Sequence, residues 1–187
     1  HAKSRTGVLY AVLEADLGPQ TLLTVGASHE KLQARPFFQG LPRYSNGADL
    51  HLRRSTSLVA DWNRWDSAQT SAFAELAHRF NADWSLKVTA GYVREAQDIK
   101  YAFALGAVNP ATLRGNVMYA GLFDFETDNK TLGIAVDGKF EAFGRRHSVN
   151  FGANTARMRN HSDFSLMQLP GVANNVFAPV SAIAEPS

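Results

Sequence analysis

Trp84-Ser85-Leu86-Lys87-Val88-Thr89-Ala90-Gly91-Tyr92 carries Trp84, Leu86, Val88, Ala90 and Tyr92 at alternate positions, separated by Ser85, Lys87, Thr89 and Gly91. Successive side chains of an extended chain point to opposite sides, so this stretch predicts a β-strand with one apolar and one polar face. The same period recurs along the chain. Leu9, Ala11, Leu13, Ala15 and Leu17 alternate with Tyr10, Val12, Glu14 and Asp16; Leu23, Val25 and Ala27 with Thr24, Gly26 and Ser28. Ala72, Ala74, Leu76 and Phe80 stand against Ser71, Glu75 and Arg79. Leu132, Ile134, Val136, Gly138 and Phe140 stand against Thr131, Gly133, Ala135, Asp137 and Lys139, and Val149, Phe151 and Ala153 against Asn150, Gly152 and Asn154. Six strands are therefore expected, rich in small residues that fill a soluble core poorly and suit a wide barrel wall.

The connections alternate in length. Short turns are expected at about 18–19, 81–83 and 142–146, with Gly, Pro, Asn and Asp among their residues. Long loops are expected at about 33–65, 98–125 and 161–187, far beyond the roughly 4–6 residues usual within a compact domain. In an up-and-down meander this puts every short turn at one end of the sheet and every long loop at the other, the pattern of an outer-membrane β-barrel. Phe80, Trp84, Phe140 and Phe143 gather beside the short turns, where an aromatic girdle would lie.

Composition fits without deciding. The 187 residues include no Cys, which excludes disulfides and thiolate metal sites; 45% are hydrophobic and 19% charged, too apolar for a disordered chain. With 19 basic and 17 acidic residues, a net charge of +2 leaves no footprint for nucleic acid. No apolar run approaches the roughly 20 residues of a spanning helix, whereas a spanning strand needs only about 9–11. The mean hydropathy of -0.21 is the value expected when an apolar face is averaged with a polar one.

Catalysis and metal binding find no constellation, so no enzyme is expected. The six His residues have no metal-ligand spacing. Asp124-Phe125-Glu126-Thr127-Asp128 resembles the start of a calcium loop, but Asn129 replaces the required Gly and Ala135 the bidentate Glu. The first long loop holds the candidate ligand contacts: Arg43, Tyr44, Arg53, Arg54, Trp62 and Trp65, beside Phe37 and Phe38. Arginine offers planar donors to anionic oxygens, and Tyr and Trp offer rigid surface with a polar tip, a set suited to a bulky, oxygen-rich ligand. Trp62 and Trp65 also read as anchors fixing the loop to the rim, and the arginines as solvated or touching lipopolysaccharide phosphates.

Four segments carry a resemblance. They are Gly40-Leu41-Pro42 with Gly47, Asp61-Trp62-Asn63-Arg64-Trp65-Asp66, the stretch from Phe73 through His78-Arg79-Phe80-Asn81 to Trp84, and Gly138-Lys139-Phe140-Glu141-Ala142-Phe143-Gly144-Arg145-Arg146-His147. In that order they resemble part of the barrel of a TonB-dependent ferric-siderophore receptor of Gram-negative bacteria, from about Leu9 to Phe151. The resemblance implies an outer-membrane location, a ferric siderophore as cargo rather than a bound cofactor, and energy from the TonB-ExbB-ExbD complex acting on a plug inside the barrel. No plug-like or TonB-box-like segment is visible, so the chain reads as an excised piece of an all-β, antiparallel barrel of about twenty-two strands. The competing expectation is a soluble β-sandwich that binds a ligand or carbohydrate, which would bury bulky Ile, Val and Phe between two sheets. A passive porin or an outer-membrane enzyme on the same scaffold are further alternatives.

Overall fold

The computed structural model describes residues 3–37, 39–170 and 175–186; Phe38 lies outside them. It contains β1 (Lys3–Gly18), β2 (Thr21–Arg35), β3 (Arg64–Arg79), β4 (Trp84–Leu105), β5 (Val117–Ala142) and β6 (Arg145–Gln168). All six form one sheet in the order β1-β2-β3-β4-β5-β6, each antiparallel to its neighbour. Among the described residues no second sheet faces it, so the sandwich expectation fails and the antiparallel meander stands.

The register assembles the alternating residues into two continuous faces. Leu13 lies opposite Val25, Val25 opposite Ala74, Ala74 opposite Ala90, and Ala90 opposite Leu132. The next row toward the short turns is Ala15, Leu23, Leu76, Val88, Ile134 and Ala153. None of the described residues covers this band: Leu13 is 64% exposed and Phe151 63%. On the opposite face lie Glu14, Asp16, Glu75, Lys87, Asp137 and Lys139, with Lys87 Nζ 3.0 Å from Glu75 Oε1.

The three short connections differ slightly in bounds from expectation. Pro19 and Gln20 join β1 to β2, and residues 80–83 join β3 to β4. There Asn81 Oδ1 accepts the Asp83 and Trp84 N–H groups at 2.9 Å each, supplying partners that the ladder leaves unpaired. Only Phe143 and Gly144 join β5 to β6, at φ 54° and 70°. Two consecutive positive φ values give the backbone twist that matches paired strands, and glycine takes its share without strain. Arg146 pairs with Asp83, tying this turn to its neighbour.

The strands run further toward the other end than alternation suggests. The loop expected at 98–125 is confined to residues 106–116, the loop expected at 33–65 to 36–63, and β6 continues through Gln168 past the expected boundary at 161. Backbone pairing persists there although the apolar–polar alternation has ended, because hydrogen-bonded ladders do not require an apolar face. Residues 124–128 accordingly lie in β5 and form no calcium loop. The buried core sits at this end: Ala102, Ala104, Met118 and Ala120 of β4 and β5 are covered by Leu50, Leu58, Ala60, Val108, Leu169 and Val176. Small side chains on the strands let the loops approach closely.

Candidate functional site

The six candidate residues separate into three settings. Arg43, Arg53 and Arg54 are exposed, and among the described residues none pairs with a carboxylate. Arg43 Nη1 donates to Gly47 O at 3.4 Å, while its backbone and that of Ser45 exchange hydrogen bonds with Val108 at 2.9 Å each. That bridge seats Tyr44, half-buried, against the loop core. Trp62 packs on the same core and donates its Nε1–H to Ile183 O at 3.0 Å, an anchoring arrangement. Trp65 belongs to β3 rather than to the loop, and the register places it on the polar face.

Trp65 is joined there by a set of rings that alternation did not reveal. Along one row Trp65 lies opposite Ile99, Ile99 opposite Phe123, and Phe123 opposite Phe164. Phe123 and Phe164 meet edge to face at 6.1 Å between centroids; Phe123 and Phe125 stack at 6.4 Å. Further toward the loops, Tyr101, Phe103 and Tyr119 form a second run at 5.4 Å and 6.0 Å. The Tyr101 ring lies across Gly121, where an added Cβ would come within 2.6 Å of the ring; the missing side chain is what admits the tyrosine. The i, i+2 spacing of Tyr101 with Phe103 and of Phe123 with Phe125 was the available signal, hidden inside a stretch expected to be loop.

A strap closes the opposite side. Residues 175–186 lie against the sheet and its first long loop, where Asp61 N donates to Ser181 O at 2.9 Å. Glu185 Oε1 accepts from Arg64 Nη1 at 2.8 Å and from Lys100 Nζ at 3.1 Å. Arg64 Nε also donates to Asp98 at 2.8 Å. The hydrogen bonds from Arg64 and then Lys100 hold the Glu185 carboxyl below the usual carboxylate value. The long-loop end therefore presents an aromatic wall on the polar face, and on the other face a loop that packs against Ala102, Ala104, Met118 and Ala120 and carries three exposed guanidinium groups beside a charged clasp. The wall offers flat stacking surface, and the loop separately offers donors for anionic oxygens.

A six-stranded open meander with one uncovered apolar face, short turns at one end and long loops at the other matches barrel segments of TonB-dependent receptors. The chain is similar to ferric-pyoverdine receptors: it is 41% identical over 180 residues to the ferric-pyoverdine M114 receptor PbuA of Pseudomonas sp. (strain M114), covering 96% of this chain and 22% of that protein. The crystal structure of the ferripyoverdine receptor of the outer membrane of Pseudomonas aeruginosa bound to ferripyoverdine superposes with a TM-score of 0.77 at 26% identity, over 87% of this chain and 22% of that one. The ferric-catecholate import receptor Fiu from Escherichia coli K12 shares the fold, with a TM-score of 0.77 at 17% identity over 98% of this chain and 28% of that one. No protein-family profile matches. The chain thus spans about a fifth of the length of the curated relatives it matches.

Proposed function

We propose that this chain is a wall segment of an outer-membrane receptor that captures a ferric siderophore of the pyoverdine class and imports it actively, with the iron carried as cargo and no catalysis of its own. The observation that carries this is the division of the sheet into two faces of unlike chemistry. On β5 the apolar side runs from Leu132 to Phe140, with no charged residue at Ile134, Val136 or Gly138 between them. Eight residue steps at about 3.4 Å span about 27 Å along the strand, or about 21 Å at a barrel tilt of about 40°, close to the height of a lipid-facing band. On this reading the short turns are periplasmic, the long loops extracellular, and the face bearing Glu75 and Lys87 turns to the lumen. Energy would come from the TonB-ExbB-ExbD complex through a plug that this segment surrounds.

The aromatic wall and the loop arginines are assigned to the ligand. Trp65, Phe123 and Tyr101 supply stacking surface; Arg43, Arg53 and Arg54 supply donors; Tyr44 and Trp62 hold the loop that presents them. The test is binding of a ferric pyoverdine to the full-length receptor, followed by fluorescence quenching. Phe123→Ala is expected to weaken binding roughly tenfold. The double variant Arg43→Ala/Tyr44→Ala is expected to weaken it as well, and unchanged affinity removes those two residues from the site. Failure of the unaltered receptor to bind any ferric siderophore overturns the function.

A further inference from the structure

Rings stand at alternate positions of the polar face of β5, and the series has a gap. Tyr119 and Phe123 present rings there, while Gly121 between them presents no side chain. Four residue steps at about 3.4 Å set the two ring-bearing positions about 14 Å apart. Glycine weakens a strand interior, since it costs backbone entropy and packs nothing, so a glycine at such a position answers to a neighbour that approaches closely. The neighbour is Tyr101, directly opposite on β4. A Cβ added at Gly121 would lie 2.6 Å from Tyr101 Cζ, 2.8 Å from its Oη and 2.9 Å from its Cε2, all at the outer end of the ring. The ring is therefore laid down across the adjacent strand, in the gap between Tyr119 and Phe123. So placed, it stands 5.4 Å from the Phe103 ring, with Tyr119 at 6.0 Å, and Phe103 is only 4% exposed.

We propose that Gly121 is a positioning residue for ligand capture: by admitting the Tyr101 ring flat, it sets the height of the aromatic wall on which a ferric siderophore stacks. The inference rests on the reading of that wall as ligand surface and adds the residue that shapes it. Any side chain at position 121 meets the outer end of the ring, and the escape open to the ring is a change of χ1 well, a step rather than a graded shift. Ile99 and Phe103 flank Tyr101 along β4 and are buried, so the displaced ring rises from the sheet. A raised ring offers its edge where a flat one offers its face, and it occupies room the ligand needs. Phe73 lies over Gly26 in the same manner and on the same face. That pair sits eight residues along β3 from Trp65, about 27 Å nearer the short turns, so it shares the packing and lies outside the proposed ligand surface.

The test uses the full-length receptor, with ferric pyoverdine as the probe and fluorescence quenching as the readout, beside folding into phospholipid vesicles across a urea series. Tyr101→Ala is expected to weaken binding about tenfold, the loss of one stacking surface. Gly121→Ala is expected to weaken it about 100-fold, because the ring is both withdrawn and in the way. The double variant Gly121→Ala/Tyr101→Ala is expected to return to about tenfold. That recovery on a second substitution is a coupling that two independent losses cannot produce. Gly26→Ala controls for packing alone, with a lowered urea midpoint and unchanged affinity for ferric pyoverdine. The proposal is overturned if Gly121→Ala binds like the unaltered receptor, if the double variant binds no better than Gly121→Ala, or if Gly26→Ala loses as much affinity as Gly121→Ala. Should Gly121→Ala not assemble, the double variant is expected to assemble and bind as Tyr101→Ala does; weaker binding than Tyr101→Ala then overturns it. If the unaltered receptor binds no ferric siderophore, the proposed function fails and takes the wall's ligand with it. The midpoints remain decisive for the packing in that case, since Gly121→Ala must fall below the double variant for glycine to be what seats the ring.

Discussion

Ile134 and Ala135 are adjacent in β5 yet face opposite ways, and placing an arginine at each separates a lipid-facing sheet from one that meets water. Ile134 lies in the middle of the apolar band, between Val88 and Ala153, and is 47% exposed because none of the described residues covers it. In water an exposed site of this kind changes stability by no more than about 0.5 kcal/mol on substitution. Facing lipid at mid-depth, arginine costs about 2–4 kcal/mol, which is about 30-fold to nearly 1,000-fold in the folding equilibrium. Ala135 lies between Lys87 and Gly152 on the polar face, where the added guanidinium stays hydrated in the lumen. Full-length receptor carrying Ile134→Arg or Ala135→Arg would be folded into phospholipid vesicles across a urea series, and the assembled fraction read from heat-modifiable migration. The expected order is a large loss for Ile134→Arg, a small one for Ala135→Arg, and an intermediate one for Phe140→Arg near the short turns. Indistinguishable midpoints for Ile134→Arg and Ala135→Arg would refute the assignment of faces.

Asn81→Ala removes the acceptor for two backbone N–H groups and should cost about 1–2 kcal/mol, seen as a lower urea midpoint. Phe143→Asn puts a residue tolerant of positive φ beside Gly144 and should stabilise the β5–β6 hairpin by about 1 kcal/mol in the same assay. Glu185, held below the ordinary carboxylate value, grips Arg64 and Lys100 fully above the unfolded value of about 4.3 and releases them as pH falls through its lower folded value. Amide exchange around Ser181 and Ile183 should therefore accelerate in acid, and Glu185→Gln should remove that dependence. The isolated 187 residues should aggregate without detergent, because both outer strands keep unpaired backbone and the apolar band stays bare.

The sheet was legible in the sequence only as far as lipid-like patterning reached. Residues 84–92 and 132–140 alternate because one side of each must be apolar. Past Tyr92 and Lys130 the same strands continue through Asp98, Lys100, Asp124 and Glu126, where both faces tolerate charge and the period disappears. Alternation thus measured the height of the apolar band and missed the length of the strands. The aromatic wall was hidden for the same reason, since Tyr101, Phe103, Phe123 and Phe125 fell within an apparent loop. Trp62 was legible as an anchor, but its acceptor, Ile183 O, lies 121 residues away and no local pattern points to it.

Each strand touches only the strands before and after it in sequence, so every pairing belongs to a single turn or loop. Such a wall can be lengthened or shortened by whole hairpins without rethreading the chain. It can also be cut within residues 36–63 and still offer both ladder partners intact. Two pieces divided there carry complementary edges, β2 on one and β3 on the other, and those edges encode fourteen paired positions of register. A receptor expressed as two such polypeptides would reassemble by templating, the cut edge of one piece serving as the mould for the other.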